Sequence, residues 1–580
     1  MKQHLDQAKG VTMRDMRKAL PVFMSLVLAL SILLNAQSAQ SSADGGNKWY
    51  LPLIGKYNSA TQLPTATPTA TATVTSTPIP TYTPIPTATS TPTPTPTPTP
   101  HGSLGVEYNP FIEDNSRWEL DDTKITWVRF NGALWADLQP IAPASSSVLN
   151  INWDATSFQL LEQQLEFVNS KGITPIVIIR RTPAWAQAVS GYPCGPIRSD
   201  KLTAFGDFLR ALITRLKAPP YNVHYWAIWN EPDIDRRFRP DDPNGVLGCW
   251  GNWDDPYYGG QTYADMLKVA NDQIKIADPT AKVLIGGLLL PCNPQTSPNT
   301  YCAMTKFFEG ILKRMKEQYG DFYFDGVGFN AYDYYDDVDE PNPLYWNRDW
   351  NTFGGVSGTV ALAKAQFLKS KMAEYGATGK GLFNMESALV CQYQTDVNSK
   401  WCKAKNSAFP YNASLREDYE IAKAFYAPKV IAQMMSAGVD ATIWYNLRNN
   451  SPDTPPVAWF NAWTTGLVNY NGDKQFALDG YVYAAEQLGR ATFVRQVTTY
   501  LNAFVYEFTR SGRRVWVAWS EKTGGQSITF PTVPLTITNG FYALPPPTSS
   551  FTLSTQPVYV EWAIPVAADG DVYGPPSPGQ

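Results

Sequence analysis

Between Gly102 and about Arg490 the chain alternates short β-rich runs with amphipathic helical stretches, and this alternation constrains the fold most. The β-rich runs are Leu104–Tyr108, Ile125–Phe130, Thr174–Ile179, Val223–Trp229, Val283–Gly287, Gly326–Asn330, Gly381–Met385 and Ala441–Tyr445. Between them apolar residues step by three and four. Phe158, Leu161, Leu165 and Val168 form one such set, and Leu202, Phe205, Leu209, Leu212 and Leu216 another. Each set puts one apolar face against a sheet. Strand then helix, repeated, implies a parallel sheet with right-handed crossovers. Eight repeats predict an α/β chain folded as a (β/α)8 TIM barrel with enlarged loops, over residues 102–490. The competing fold is an open doubly wound sheet, which favours a Gly-rich turn after its first strand. Here that strand leads into Tyr108-Asn109-Pro110-Phe111.

After Arg490 the pattern becomes period two. Phe504, Tyr506 and Phe508 alternate, Ser511-Gly512 turns the chain, and Val515, Val517 and Trp519 alternate next. Ile528-Phe530, Leu535-Ile537 and Val558-Val560-Trp562 follow. This predicts a small C-terminal β-sandwich over 491–566, packed on the barrel, and a flexible tail over 567–580. Upstream, Arg14, Arg17 and Lys18 precede an apolar run from Ala19 to Leu34, and small residues follow up to Ala39. That reads as a signal peptide over 1–39. An uncleaved anchor is the rival, but the run has 16 residues, short of the roughly 20 a spanning helix needs. Residues 40–60, with Trp49-Tyr50-Leu51-Pro52-Leu53-Ile54, form a short unassigned segment. Residues 61–100 hold 17 Thr and 11 Pro and no charged residue, so neither helix nor sheet core is expected. The stretch 61–101 is read as a disordered, extended Thr/Pro-rich linker, a stalk suited to cell-surface attachment.

Charge and rare residues narrow the function. Lys+Arg 47 against Asp+Glu 51 leaves a net charge of −4, without the basic excess a general nucleic-acid binder needs. There are 3 histidines, His4, His101 and His224, and the last alone lies in the predicted globular part. That weighs against a multi-histidine metal site and leaves one candidate base for a Ser-His-Asp triad. All 6 cysteines follow the stalk, and an even count in an exported chain reads as disulfides. Cys292 with Cys302 and Cys391 with Cys402 are close pairs, which leaves Cys194 and Cys249. All lie in loops at the end of the barrel where active sites sit.

At that end two carboxylates are expected to meet. The fourth strand ends in Trp229-Asn230-Glu231-Pro232, and the seventh delivers Glu386 in Asn384-Met385-Glu386-Ser387. Strands four and seven face each other across a barrel mouth. Two carboxyl groups so placed suit glycoside hydrolysis, one protonating the leaving oxygen and the other attacking the anomeric carbon. Glu107, Asp137, Asp233 and Asp235 are rival carboxylates, with Asp233 and Asp235 expected as solvated loop charges.

Trp229-Asn230-Glu231-Pro232 resembles the acid/base signature of clan A glycoside hydrolases, retaining (β/α)8 enzymes such as those of families 5 and 39. The resemblance spans roughly Gly102 to Gly489. It implies Glu231 as acid/base and Glu386 as nucleophile, with Asn230 on the sugar 2-hydroxyl. Arg129, in Trp127-Val128-Arg129, resembles the clan's arginine beside the nucleophile, which it would keep ionised. Tyr332, in Asn330-Ala331-Tyr332, would hydrogen-bond the nucleophile. Trp444, in Ile443-Trp444-Tyr445, resembles the sugar-stacking floor, and Trp185 would supply another wall. The expected partner is an oligo- or polysaccharide with β-linked sugars, with no metal or organic cofactor and no nucleic acid. The competing functional class is a carbohydrate-binding or surface-adhesion protein on a catalytically weak or inactive barrel.

Overall fold

The structure is a computed structural model. It describes residues 103–108, 120, 123–238, 247–294, 300–335, 350, 358–390, 413–449, 465–522, 524–541, 544 and 548–564. The signal peptide, the segment 40–60, the linker, the C-terminal tail and the Cys391–Cys402 bridge lie outside the described residues.

Gly105 shows how the sheet closes. A side chain there would begin 2.6 Å from Ile443 Cδ1 and 2.6 Å from the Trp127 carbonyl, so a β8 side chain and the β2 backbone close on β1 where only glycine fits. The strands are β1 (Leu104–Glu107), β2 (Trp127–Leu134), β3 (Thr174–Arg180), β4 (Tyr225–Ile228), β5 (Lys282–Leu288), β6 (Gly326–Tyr334), β7 (Gly381–Val390) and β8 (Ala441–Trp444). They pair in chain order, and β8 returns parallel to β1 with Val106 opposite Trp444, giving a closed barrel. The barrel interior is filled from alternate strand positions by Trp127, Ile176, Ile178, Ala227, Leu284, Phe383, Met385, Ala441 and Ile443.

Besides a single turn at Trp135–Leu138, seven longer helices follow strands two to eight among the described residues: α1 (Thr156–Ser170), α2 (Leu202–Leu216), α3 (Gly260–Ala277), α4 (Lys306–Arg314), α5 (Val360–Tyr375), α6 (Ala413–Ser436) and α7 (Phe476–Leu488). The periodic residues fall on their inner faces. Phe158, Leu161, Leu165 and Val168 of α1 are buried, as are Phe205, Leu209, Leu212 and Leu216 of α2. Each such side chain contributes about 1.5–3 kcal/mol on burial.

Beyond α7 an antiparallel sheet of order β13-β15-β11-β10-β9 is joined by a two-stranded sheet, β12-β14. The strands are β9 (Thr492–Gln496), β10 (Phe504–Arg510), β11 (Arg513–Trp519), β12 (Gln526–Thr529), β13 (Thr536–Thr538), β14 (Ser550–Leu553) and β15 (Val558–Ala563). Both faces of the larger sheet are buried. Val505, Trp516, Ala518, Val560 and Trp562 form the core of the sandwich with Ile528 and Leu553. Tyr506, Phe508, Val515, Val517 and Trp519 belong instead to the core shared with the barrel helices. The apolar sets that alternate in β10 and β11 therefore mark the side facing the barrel. Lys429 of α6 adds a polar clasp, 2.8 Å from Glu521 and over the Trp519 ring.

Candidate active site

The peptide Trp229-Asn230-Glu231-Pro232 leaves β4 in an unusual conformation. Trp229 has φ 67° and Glu231 φ 46°, in the left-handed region that side-chain-bearing residues avoid. Each such residue costs of the order of 1–3 kcal/mol and persists only where its surroundings impose it. Here neighbouring strands hold both ends. The Trp229 N–H donates to the Ile179 carbonyl at 2.8 Å, and the Glu231 N–H donates to the Gly287 carbonyl at 2.9 Å. A side chain on Gly286 would collide with the Trp229 carbonyl, so glycine there lets β5 pass close behind.

Two loops press on the same peptide. Cys194 and Cys249 form a disulfide, and the Cys194 carbonyl accepts from Trp229 Nε1 and from the Cys249 N–H, both at 3.0 Å. Beyond that bridge the Trp250 N–H donates to the Pro232 carbonyl at 3.0 Å. Cys292 and Cys302 close the loop after β5.

The Glu231 carboxyl is 6% exposed and accepts from Asn330 Nδ2 at 2.9 Å. Burial first, then the charge of Glu386, pushes its pKa up to about 8, with Asn330 acting the other way. Glu386, also 6% exposed, has different company. Arg129 Nη2 lies 2.8 Å from its Oε1, and the Tyr332 hydroxyl donates to its Oε2. Burial, then the charge of Glu386, raises the Tyr332 phenol well above its usual range, so it remains a donor. Arg129 is fully buried and also donates to Asn230 Oδ1 at 2.8 Å, while its Nη1 pairs with Glu107. One guanidinium thus ties the ends of β1 and β4 to β7.

Glu386 owes its direction to an irregularity. Phe329 pairs with Asn384, but Asn330 pairs with Glu386, so Met385 is an extra residue in β7. Such a bulge re-aims the side chains beside it. Met385 fills the barrel interior, and the adjacent Glu386 still reaches the inward-facing Arg129. Glu386 also lies within β7, not at its end, because β6 and β7 stay paired as far as Tyr334 and Val390.

The predicted residues Glu231, Glu386, Asn230, Arg129 and Tyr332 are thus brought together. Trp444 is not among them, which corrects the expectation of a sugar floor there. It is 2% exposed, lies edge-on to Tyr426 and Tyr481, and donates from Nε1 to the Thr465 carbonyl at 2.8 Å. Ala441 and Ile443 point inward, so Trp444 points to the helices and Tyr445 inward again. Half-buried Tyr445 meets Tyr332 edge-on at 6.1 Å between ring centroids. Strand parity was the signal that could have found it. Trp185 is half-buried on a short turn after β3; it donates to the Gln139 carbonyl and packs edge-on against Trp135.

The rival carboxylates are all engaged. Asp137 pairs with Arg181 at 2.6 Å. Asp233 and Asp235 are buried, not solvated as expected. Asp233 accepts from the N–H groups of Leu289 and Leu290, both at 2.8 Å, and Asp235 from that of Trp253 at 2.6 Å. The chain after Pro232 turns inward to clasp the next loops, and buried backbone donors need such acceptors. His224 sits before β4, 2.7 Å from Asp278, at the opposite end of that strand from Glu231.

No family model matches the sequence, and neither does any curated protein. Solved structures share the fold. One is a family 39 glycoside hydrolase from the gut symbiont Bacteroides cellulosilyticus, 16% identical, with a TM-score of 0.54 over 79% of this chain and 80% of that one. Another is a family 30 endoxylanase from Clostridium papyrosolvens, 14% identical over 80% of this chain and 96% of that one, with a TM-score of 0.47. The first likeness establishes a shared barrel fold.

Proposed function

We propose that the chain is a retaining glycoside hydrolase acting on β-linked oligo- or polysaccharides. The observation that carries this is the unequal setting of the two facing glutamates. Glu386 has a guanidinium and a phenol on its two oxygens. Glu231 has a neutral amide, and its proton is held to about pH 8. Pairs whose surroundings push their proton affinities apart divide into an acid and a nucleophile.

In the first step Glu386 attacks the anomeric carbon as Glu231 protonates the departing oxygen, leaving a glycosyl ester on Glu386. That ester removes the negative charge facing Glu231, whose proton affinity falls. Glu231 then takes a proton from water, and the resulting hydroxide displaces Glu386 from the sugar. Asn230 has its amide oxygen on Arg129, so it offers the 2-hydroxyl its N–H. Tyr445 supplies the aromatic surface beneath the ring. Export through the apolar N-terminus and display on the Thr/Pro stalk complete the reading, and the disulfides at Cys194–Cys249 and Cys292–Cys302 suit an oxidising exterior.

The test is turnover of chromogenic aryl β-glycosides. Glu386→Gln should abolish it. Glu231→Ala should retain slow turnover of substrates with good leaving groups and be rescued by azide as a β-glycosyl azide. Full activity in Glu386→Gln would refute the assignment.

A further inference from the structure

Helix α5 begins Val360-Ala361-Leu362-Ala363-Lys364-Ala365, and all six residues are buried. A lysine is out of place there. Its ammonium is withdrawn from water, which is costly for a charge unless it is paired or hydrogen-bonded. Its contacts show what holds it. Lys364 Nζ donates to the Asn330 carbonyl at 2.8 Å and to the Leu289 carbonyl at 2.6 Å, and lies 5.9 Å from the Trp350 ring centroid. The first carbonyl belongs to a residue that touches Glu231, the second to one that touches Asp233. Asn330 gives its side-chain amide to the Glu231 carboxyl, and Leu289 gives its N–H to Asp233. A two-bond chain therefore runs from the ammonium through Asn330 to Glu231.

We propose that Lys364 is a positioning residue for Glu231, acting through Asn330. This rests on the hydrolase reading for its kinetic consequences, not for its geometry. The two glutamates then differ in how each meets its cation. Arg129 touches Glu386 directly, whereas Lys364 reaches Glu231 across one amide. A touching cation would strip the acid of its proton; a cation one residue removed aims the carboxyl and restrains the rise in its proton affinity. Among the described residues, several charged and polar groups share that neighbourhood, Tyr332 of β6 included. Glu386 of β7 and Asp233 of the loop after β4 raise the pKa of Glu231, and Asn330 of β6 and Lys364 of α5 lower it. On the far side of Lys364, Asp333 of β6 is bound by the Val360 N–H and the Tyr426 hydroxyl.

The experiment uses the full chain with Lys364→Met, Lys364→Gln and Lys364→Arg. Protein labelled with 13C at glutamate Cδ is titrated by NMR, with Glu231→Gln identifying the Glu231 signal. The pH profile of kcat/KM on an aryl β-glycoside is recorded in parallel. Removing the cation should move the Glu231 midpoint, and with it the alkaline limb, upward by about 0.5–1 pH unit in Lys364→Met and Lys364→Gln. Lys364→Arg should stay within about 0.2 unit of wild type, a split that loss of packing alone would not give. An unchanged Glu231 midpoint in folded Lys364→Met overturns the proposal. If that variant does not fold, equal midpoints in Lys364→Gln and Lys364→Arg overturn it. Absence of turnover by wild-type protein on every glycoside would overturn the hydrolase reading, while the NMR titration would still decide the role of Lys364.

Discussion

Arg129 Nη2 stands 2.8 Å from Glu386 Oε1, and the same guanidinium pairs with Glu107 on its other side. The barrel mouth thus holds two carboxylates on one fully buried arginine. Removing that arginine leaves both negative charges uncompensated, a loss of about 3–5 kcal/mol for a broken buried pair. Arg129→Met should lower Tm markedly and kcat/KM by at least ~10²-fold. Adding Glu107→Gln should recover part of the Tm but little of the activity. Calorimetry and kinetics on the single and double variants check this; additive Tm losses would contradict it.

Glu231 links stability to pH. Its folded pKa of about 8 lies above its unfolded value near 4.5, so the folded state binds the extra proton between those limits. Stability contributed by this group is therefore present at low pH and lost as pH rises toward 8. Glu231→Gln, which stays neutral, should match wild type near pH 4.5 and melt several degrees higher at pH 8.5. Comparing variant with wild type cancels Asp333, whose pKa, raised by burial to about 7, acts in the same direction.

Trp444 and Tyr445 should separate packing from binding. Trp444→Ala empties a fully enclosed site between Tyr426 and Tyr481, so a loss of about 3–5 kcal/mol is expected by denaturant unfolding. Tyr445→Ala should change stability little and weaken substrate use by at least ~10-fold. The reverse pattern would restore Trp444 as the floor.

These two residues also show what the sequence could disclose. The barrel was legible because each strand and helix carries its own apolar period, and Glu231 because it stands three residues past the end of a short strand. The wrong floor came from choosing the larger aromatic over the inward parity set by Ala441 and Ile443. The direction of Glu386 depends on the β7 bulge at Met385, which arises from pairing with β6 and leaves no local pattern. Asp233 and Asp235 looked solvated because acidic residues after a proline usually are; their burial follows from backbone N–H groups of distant loops. The partners Asn330 and Lys364 lie 99 and 133 positions from Glu231, a separation across which no periodicity reports contact.

The Cys194–Cys249 bridge closes a 55-residue separation, for which the chain-entropy model gives about 4 kcal/mol. Because the Cys194 carbonyl holds the Trp229 indole, and Gly248 and Trp250 on either side of Cys249 donate to the Asn230 and Pro232 carbonyls, Cys194→Ser/Cys249→Ser should lose more than stability. On substrates with poor leaving groups, which need the acid most, kcat should fall further than on activated ones. Equal losses on both would confine the bridge to a structural role.

The proposed mechanism requires Glu386 to form a covalent bond to the sugar. Incubating the protein with a panel of activated 2-deoxy-2-fluoro β-glycosides, which slow release of the intermediate, and mapping the labelled peptide by mass spectrometry tests it directly. One sugar per chain is expected, attached to Glu386 and absent in Glu386→Gln. A label on another residue, or turnover of a substrate with inversion at the anomeric carbon, would contradict it.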